Sequence, residues 1–207
     1  WLNPRQGTDA AMAMAMGHVI LKEFHLARDG KYPSQYFDDY CRRYTDMPFL
    51  VMLDEHTDNK AGEHYIPGRT LRASDLETIS DQDNAEWKPV LLDENTDTVA
   101  VPMGTIGSRW DKSGRWNLDL KNCATGADIW PSKSLIQKHD EVVSVAFPYF
   151  GNQENEQEIF KHTDHDSILY RNMPVRKVAT KAGEVRVVTV FDLMMANYGI
   201  DQGLGGE

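Results

Sequence analysis

Residues 4–25, PRQGTDAAMAMAMGHVILKEFH, read as a loop passing into a helix. Pro4 fixes the approach, and Gly7 permits a tight backbone turn close to a ligand. Thr8 is a good N-cap and Asp9 a favourable first-turn acid, so the spacing predicts a helix over 8–26. Ala10 to Met16 are apolar without interruption, which predicts a helix buried on several sides. The small alanines and Gly17 would let a sheet or ligand approach closely. The free amides of Thr8, Asp9 and Ala10 at the helix start suit an anion such as a pyrophosphate. The Asp9 carboxylate suits a guanine edge or a ribose diol instead. Arg5 could meet a phosphate, and Gln6 a phosphate or a base. On pattern alone, the simpler reading is that Thr8 and Asp9 do no more than cap a helix. Neither a P-loop nor a dinucleotide glycine fingerprint is present.

Beyond this helix, a cap at Ser34 and the pattern over 35–44 predict a second helix, with Phe37 and Tyr40 on one face. Residues 49–53 read as a short apolar strand. From residue 54 onward, glycine, proline, Asn and Asp interrupt short runs at 90–92, 98–101 and 142–147, which read as strands. The alternation at 185–190 predicts another strand. Asp192 would cap a helix through Tyr198, with Gly199 just beyond its end. The chain divides accordingly into 1–53 (loop, helix and α/β segment), 54–184 (irregular β-rich insertion) and 185–207 (strand–helix return).

The composition narrows the function. With 207 residues, 22 basic and 32 acidic, the net charge is −10. An acidic chain is a poor partner for nucleic acid or for an anionic membrane surface. Cys41 and Cys123 are too few for a disulfide scaffold or a four-thiolate metal site. No apolar run reaches the ~18 residues of a membrane span. The start at Trp1 and the end at Glu207 fit a piece of something larger.

Several other residues are of chemically versatile types. His18 and His25 lie seven apart on one helix, without the i, i+4 spacing of a metal pair, and read as histidines satisfied by hydrogen bonds. His162, Asp164, His165 and Asp166 sit in a polar stretch and read as a solvated loop. Cys41 reads as an inert, half-buried thiol, and Met12, Met14 and Met16 as packing. The pattern alone offers a nucleotide-phosphate site, no catalytic residue and no metal ligand.

The residues carry a family resemblance. PRQGTDAAMAMAMGHVILKEFH (4–25) resembles the cofactor-binding loop and helix of the molybdopterin oxidoreductases. YFDDYCRRYTDMPFLVML (36–53), IGSRW (106–110), GRWNL (114–118), FPYFG (147–151) and VVTVFDLMMANYGI (187–200) extend the resemblance along nearly the whole chain. RRYTDMP, the tryptophans and FPYFG narrow it to the membrane-bound respiratory nitrate reductase branch, catalytic alpha subunit.

The resemblance implies an α/β fold: part of a molybdopterin-dinucleotide-binding domain with an irregular β-rich insertion. It implies molybdenum held by two molybdopterin guanine dinucleotides, a 4Fe-4S cluster, and quinol-linked reduction of nitrate to nitrite in anaerobic respiration. An iron–sulfur beta subunit and a membrane cytochrome b gamma subunit are implied as partners, with attachment at the cytoplasmic face of the membrane. Gly7, Thr8 and Asp9, with Gln6 and Arg5 beside them, match the family's dinucleotide-binding loop. Molybdenum and cluster ligands are expected elsewhere in the subunit, so this piece alone should be inactive. The alternatives are a chlorate or selenate reductase of the same superfamily, a non-catalytic subunit-packing segment, or a free-standing nucleotide-binding protein.

Overall fold

The computed structural model describes residues 3–26, 35–58, 62–104, 120–147 and 169–205. Helices and strands are both present. The helices are α1 (Asp9–Val19), continued by a π-helical stretch (Ile20–Leu26), α2 (Gln35–Tyr44) and α3 (Val190–Asn197). The strands are β1 (Leu50–Asp58), β2 (Gly62–Thr70), β3 (Leu91–Asp93), β4 (Thr98–Ala100), β5 (Glu141–Phe147), β6 (Leu169–Thr180) and β7 (Gly183–Thr189). Five of them close a barrel in the order β1–β2–β5–β6–β7, and β3–β4 form a separate hairpin. Among the described strands only the β2–β5 pairing is parallel. The barrel therefore draws on residues from all three segments named above.

The apolar run Leu50-Val51-Met52-Leu53 reflects a strand covered on both faces, since successive side chains point to opposite sides. Leu50 and Met52 face a core with Leu71, Leu76, Val90, Leu92 and Val187. Val51 and Leu53 face another with Val145, Met173, Val175 and Val188. Adjacent Val187 and Val188 divide between the two cores in the same way. A third cluster, Leu21, Phe191, Met195 and Ile200, joins the N-terminal helix to α3.

Four expectations are corrected here. First, α1 has no buried residue, and only Leu21 of the following π-helical turn is buried. Its apolar groups are spread over every face, so one line of contact with α3 cannot cover them. Met14, Met16, Ile20 and Phe24 remain exposed, each by 44–55%. Second, the inner face of α2 carries Phe37 and buried Cys41, whereas Tyr40 stacks in an outer ladder with Tyr36 and Tyr44. An i, i+4 spacing aligns each set more closely than the three-residue step from Phe37 to Tyr40. Third, Cys41 is fully buried rather than half-buried, and burial pushes its thiol up. Fourth, Thr189, not Asp192, caps α3: its hydroxyl oxygen accepts from Asp192 N at 3.1 Å.

The other end of α3 follows expectation. Gly199 has φ +70°, and its N–H donates to Ala196 O while Ile200 N–H donates to Met195 O, both at 2.9 Å. This paired closure needs the left-handed residue that glycine supplies most readily. Ser34 and the cluster at 162–166 lie outside the described residues, as do 106–110, 114–118 and 148–151.

Candidate nucleotide-binding loop

Residues 5–8 form a tight turn. Thr8 N–H donates to Arg5 O at 3.1 Å, and the Thr8 hydroxyl donates to the same oxygen at 2.6 Å. Gly7 sits at φ +82°, a conformation costly for any side-chain-bearing residue. No neighbouring atom lies within 4 Å of a Cβ placed there, so the turn, not crowding, requires this glycine. Thr8 occupies the N-cap position but its side chain makes no cap hydrogen bond. Its hydroxyl is spent on the turn instead, which corrects the expectation of an ordinary cap.

The first intrahelical bond runs from Met12 N to Thr8 O at 3.3 Å. The Thr8 amide, expected to be free, is thus taken by Arg5 O, and the amides of Asp9, Ala10 and Ala11 precede the first helical bond, where donors have no partner within the helix. Arg5, Gln6, Gly7, Thr8 and Asp9 are all exposed, and the structure brings all five onto one turn. Asn3, Pro4, Thr8, Ala11 and Met12 line an open depression of about 300 Å³ beside it. Three amides, a guanidinium, an amide side chain and a carboxylate on one open turn can meet both a phosphate and a polar base edge. The donor set therefore fits a nucleotide.

The turn is held to the barrel through the helix behind it. Leu21 enters the third core, and His18 Nδ1 lies 2.6 Å from Tyr198 O. Further along, the ring of His25 packs on Phe37 at 5.1 Å and Phe191 at 5.6 Å between centroids. Lys133, 7% exposed, pairs with Asp38 and lies over the Phe37 and Phe191 rings at 5.2 and 4.6 Å. Its Nζ is 3.4 Å from His25 Nε2. Burial and the Lys133 charge depress the His25 pKa, against a smaller opposing pull from Asp38. Both histidines thus hold hydrogen-bonding positions as expected. Lys133 had no signal in the sequence, because its partners are 95 and 108 residues away.

Asp192 likewise draws its partners from distant parts of the chain. It is fully buried, and its carboxylate accepts from Ser134 Oγ (2.6 Å), Leu135 N (2.9 Å), Thr189 Oγ1 (2.8 Å) and Gln202 Nε2 (3.1 Å). Burial pushes its pKa up while these donors pull it down. It ties the 134–135 loop to the start of α3 and to the C-terminal segment.

Among the described residues, no group of three or more His, Cys, Asp or Glu could hold a metal ion. Nor is any described helix long and apolar enough to cross a membrane. Cys41 and Cys123 are free. Two thiols on their own cannot provide the four thiolates of a cubane cluster.

No family model matches the chain. Individual relatives do. The chain is 48% identical, over 209 aligned positions, to the respiratory nitrate reductase 2 alpha chain of Escherichia coli, covering all of this chain and 16% of that one. Identity to the respiratory nitrate reductase 1 alpha chain of the same organism is 46% over 206 positions (99% and 16%). For the nitrate reductase alpha chain of Bacillus subtilis it is 41% over 205 (99% and 15%). The chain belongs to the nitrate reductase alpha-chain family. It spans about one sixth of the length of these relatives.

The RRYTDMP block that carried the resemblance is, in this alpha-chain segment, a helix-to-strand corner. Arg42 Nε donates to Pro131 O at 2.9 Å, and its guanidinium lies 4.8 Å above the Trp130 ring centre. The Thr45 hydroxyl donates to Cys41 O at 2.6 Å and accepts from Met47 N at 3.2 Å. Pro48 is buried, and Phe49 N–H donates to Asp46 O at 2.9 Å. The block therefore shapes the fold around β1 and presents no reactive group.

Proposed function

We propose that this chain forms the dinucleotide-binding edge of a quinol-linked nitrate reductase catalytic subunit, with the 5–9 turn receiving a guanine dinucleotide tail of the molybdenum cofactor. The end-to-end identity to nitrate reductase alpha chains is the observation that carries the reaction. Support for the location comes from the exposed turn and the amides at the start of α1. Asp9 accepts the paired N–H donors of the guanine edge, the amides of Asp9, Ala10 and Ala11 receive phosphate oxygens, and Arg5 neutralises their charge. Gln6 bonds a phosphate or the base, and Gly7 keeps the turn open to the ligand. Thr8 braces the turn.

Bound there, the cofactor would supply oxygen-atom transfer from nitrate, leaving nitrite. The chain's own contribution is positional: it holds one end of a long cofactor at the start of a helix. The same reading includes a 4Fe-4S cluster held elsewhere in the subunit. Its iron–sulfur beta and cytochrome b gamma partners attach the enzyme to the cytoplasmic face of the membrane.

The test compares molybdenum per purified alpha subunit for Asp9→Ala and Thr8→Ala. A greater loss in Asp9→Ala is expected, since charge-assisted hydrogen bonds contribute roughly 1.5–3 kcal/mol each. Equal, near-complete loading of both would remove the turn from the cofactor site.

A further inference from the structure

Among the described residues, helix α1 meets the body of the structure at its far end. All of its residues but Met12, Gly17 and His18 are exposed, and Met12 lines the depression beside the 5–9 turn. Gly17 and His18 seat the helix against Tyr198, just past the end of α3. A Cβ built on Gly17 would lie 2.2 Å from Tyr198 Cε1 and 3.0 Å from Cδ1 and Cζ. The helix backbone therefore rests on the edge of the ring. Crowding requires this glycine, since alanine is much the better helix former.

The ring is held where it stands. It packs on the third core, beside Leu21, Phe191, Met195 and Ile200. Its main chain is fixed as well: Tyr198 N–H donates to Met194 O at 3.0 Å, and Tyr198 O lies 2.6 Å from His18 Nδ1. An unstrained carbon–carbon contact needs about 3.5 Å, so a side chain at residue 17 lifts the helix by roughly 1 Å. The lift grows along the helix. Leu21, one turn beyond Gly17, is anchored in the core. At about 1.5 Å per residue, Asp9 lies roughly three times as far from Leu21 as Gly17 does. A tilt about Leu21 carries the 5–9 turn in the same proportion. N–H···O bonds hold over about 2.7–3.2 Å, so a shift of roughly 3 Å at the turn breaks them.

We propose that Gly17 is a positioning residue for the cofactor: seated on the Tyr198 ring, it sets the height at which α1 presents the 5–9 turn to the guanine dinucleotide. The proposal rests on the turn being the cofactor site, and adds that loading depends on a contact that meets no ligand.

The experiment is a double-mutant cycle in the assembled enzyme, read as molybdenum per alpha subunit and as thermal midpoint, with Asp9→Ala alongside. Gly17→Ala should lower molybdenum at least about threefold, because small misplacements far from a ligand are costly. Its thermal midpoint should be no lower than that of Asp9→Ala, which loses cofactor without touching the ring. Tyr198→Ala removes the ring but keeps the carbonyl that holds His18. In the Tyr198→Ala background, Gly17→Ala should leave molybdenum unchanged. A loss in the double variant as deep as in Gly17→Ala would overturn the proposal. So would a midpoint for Gly17→Ala below that of Asp9→Ala, which would mark a glycine serving the fold as a whole. Full loading of Gly17→Ala beside a depleted Asp9→Ala would overturn the role of Gly17 and leave the turn as the cofactor site. Full loading of Asp9→Ala would remove the turn from that site, and the proposal with it.

Discussion

At Asp192, three stretches of chain meet on one carboxylate, and what the side chain touches decides what its loss would do. Asp192→Ala strips four donors of their acceptor inside the fold. The expected destabilisation is at least ~3 kcal/mol, because orphaned buried donors cost about 1–3 kcal/mol each. Chemical denaturation of the alpha subunit checks this, and a change below ~1 kcal/mol would contradict it. His25 carries a pH dependence. Its pKa is held below the ordinary 6.5, chiefly by burial and then by Lys133. As pH falls below 6.5 the unfolded imidazole gains a proton that the folded one refuses. The unfolded state then binds more protons, and stability falls with falling pH. The midpoint of unfolding should therefore drop as the pH falls below 6.5, and the drop should be shallower in His25→Gln. The role of Asp192 was not legible in the sequence, and for His25 it showed only that a hydrogen bond would satisfy the ring, not its partner. Asp192 resembles any first-turn acid until Ser134 and Gln202 are brought to it, and His25 is satisfied by a lysine 108 residues away.

Among the elements, those defined by local chemistry were legible and those defined by long-range pairing were not. The α3 ending, with Gly199 and Ile200, follows from neighbours in the chain. So does the turn at Gly7. By contrast, β2 contains Pro67 and Gly68, which read as loop residues, and gains its strand identity from pairing with β1. Likewise β6 runs for 12 residues because β5 occupies its first half and β7 its second. Helix α1 is the opposite case, strongly helical in sequence yet barely packed. Met14, Met16, Val19, Ile20, Phe24 and Leu26 leave an apolar surface along it and its π-helical continuation. The 207-residue chain on its own should accordingly bind a hydrophobic dye or self-associate, whereas the full-length subunit should not. Dye fluorescence per mole of the two proteins, measured side by side, tests this. Equal, low binding would show that the helix covers itself.

On the scale of the molecule, a barrel with a docked N-terminal helix presents an exposed turn at Arg5 to Asp9, with no metal-ligand cluster among the described residues. That arrangement suits a structural edge of a larger catalytic subunit. The 207 residues alone should then reduce no nitrate with an artificial electron donor, and turnover above a cofactor-free control would place the reactive centre within them. The mixture of helices and strands could be read ahead of the structure, and the family from the motifs at 4–25 and 36–53. Barrel closure could not, because it depends on β1 pairing with β7 across more than a hundred residues. The placing of the cofactor tail rests on Asp9 facing a nucleotide rather than merely a helix dipole. Asp9→Asn separates the two, since it keeps the shape but replaces one acceptor with an NH₂ opposed to the guanine donors. A dipole role alone would cost no more than ~1 kcal/mol and leave loading intact. Molybdenum content per purified Asp9→Asn alpha subunit is the decisive quantity, measured beside thermal stability. The account predicts a clear loss of molybdenum with the fold retained, and full loading would contradict it.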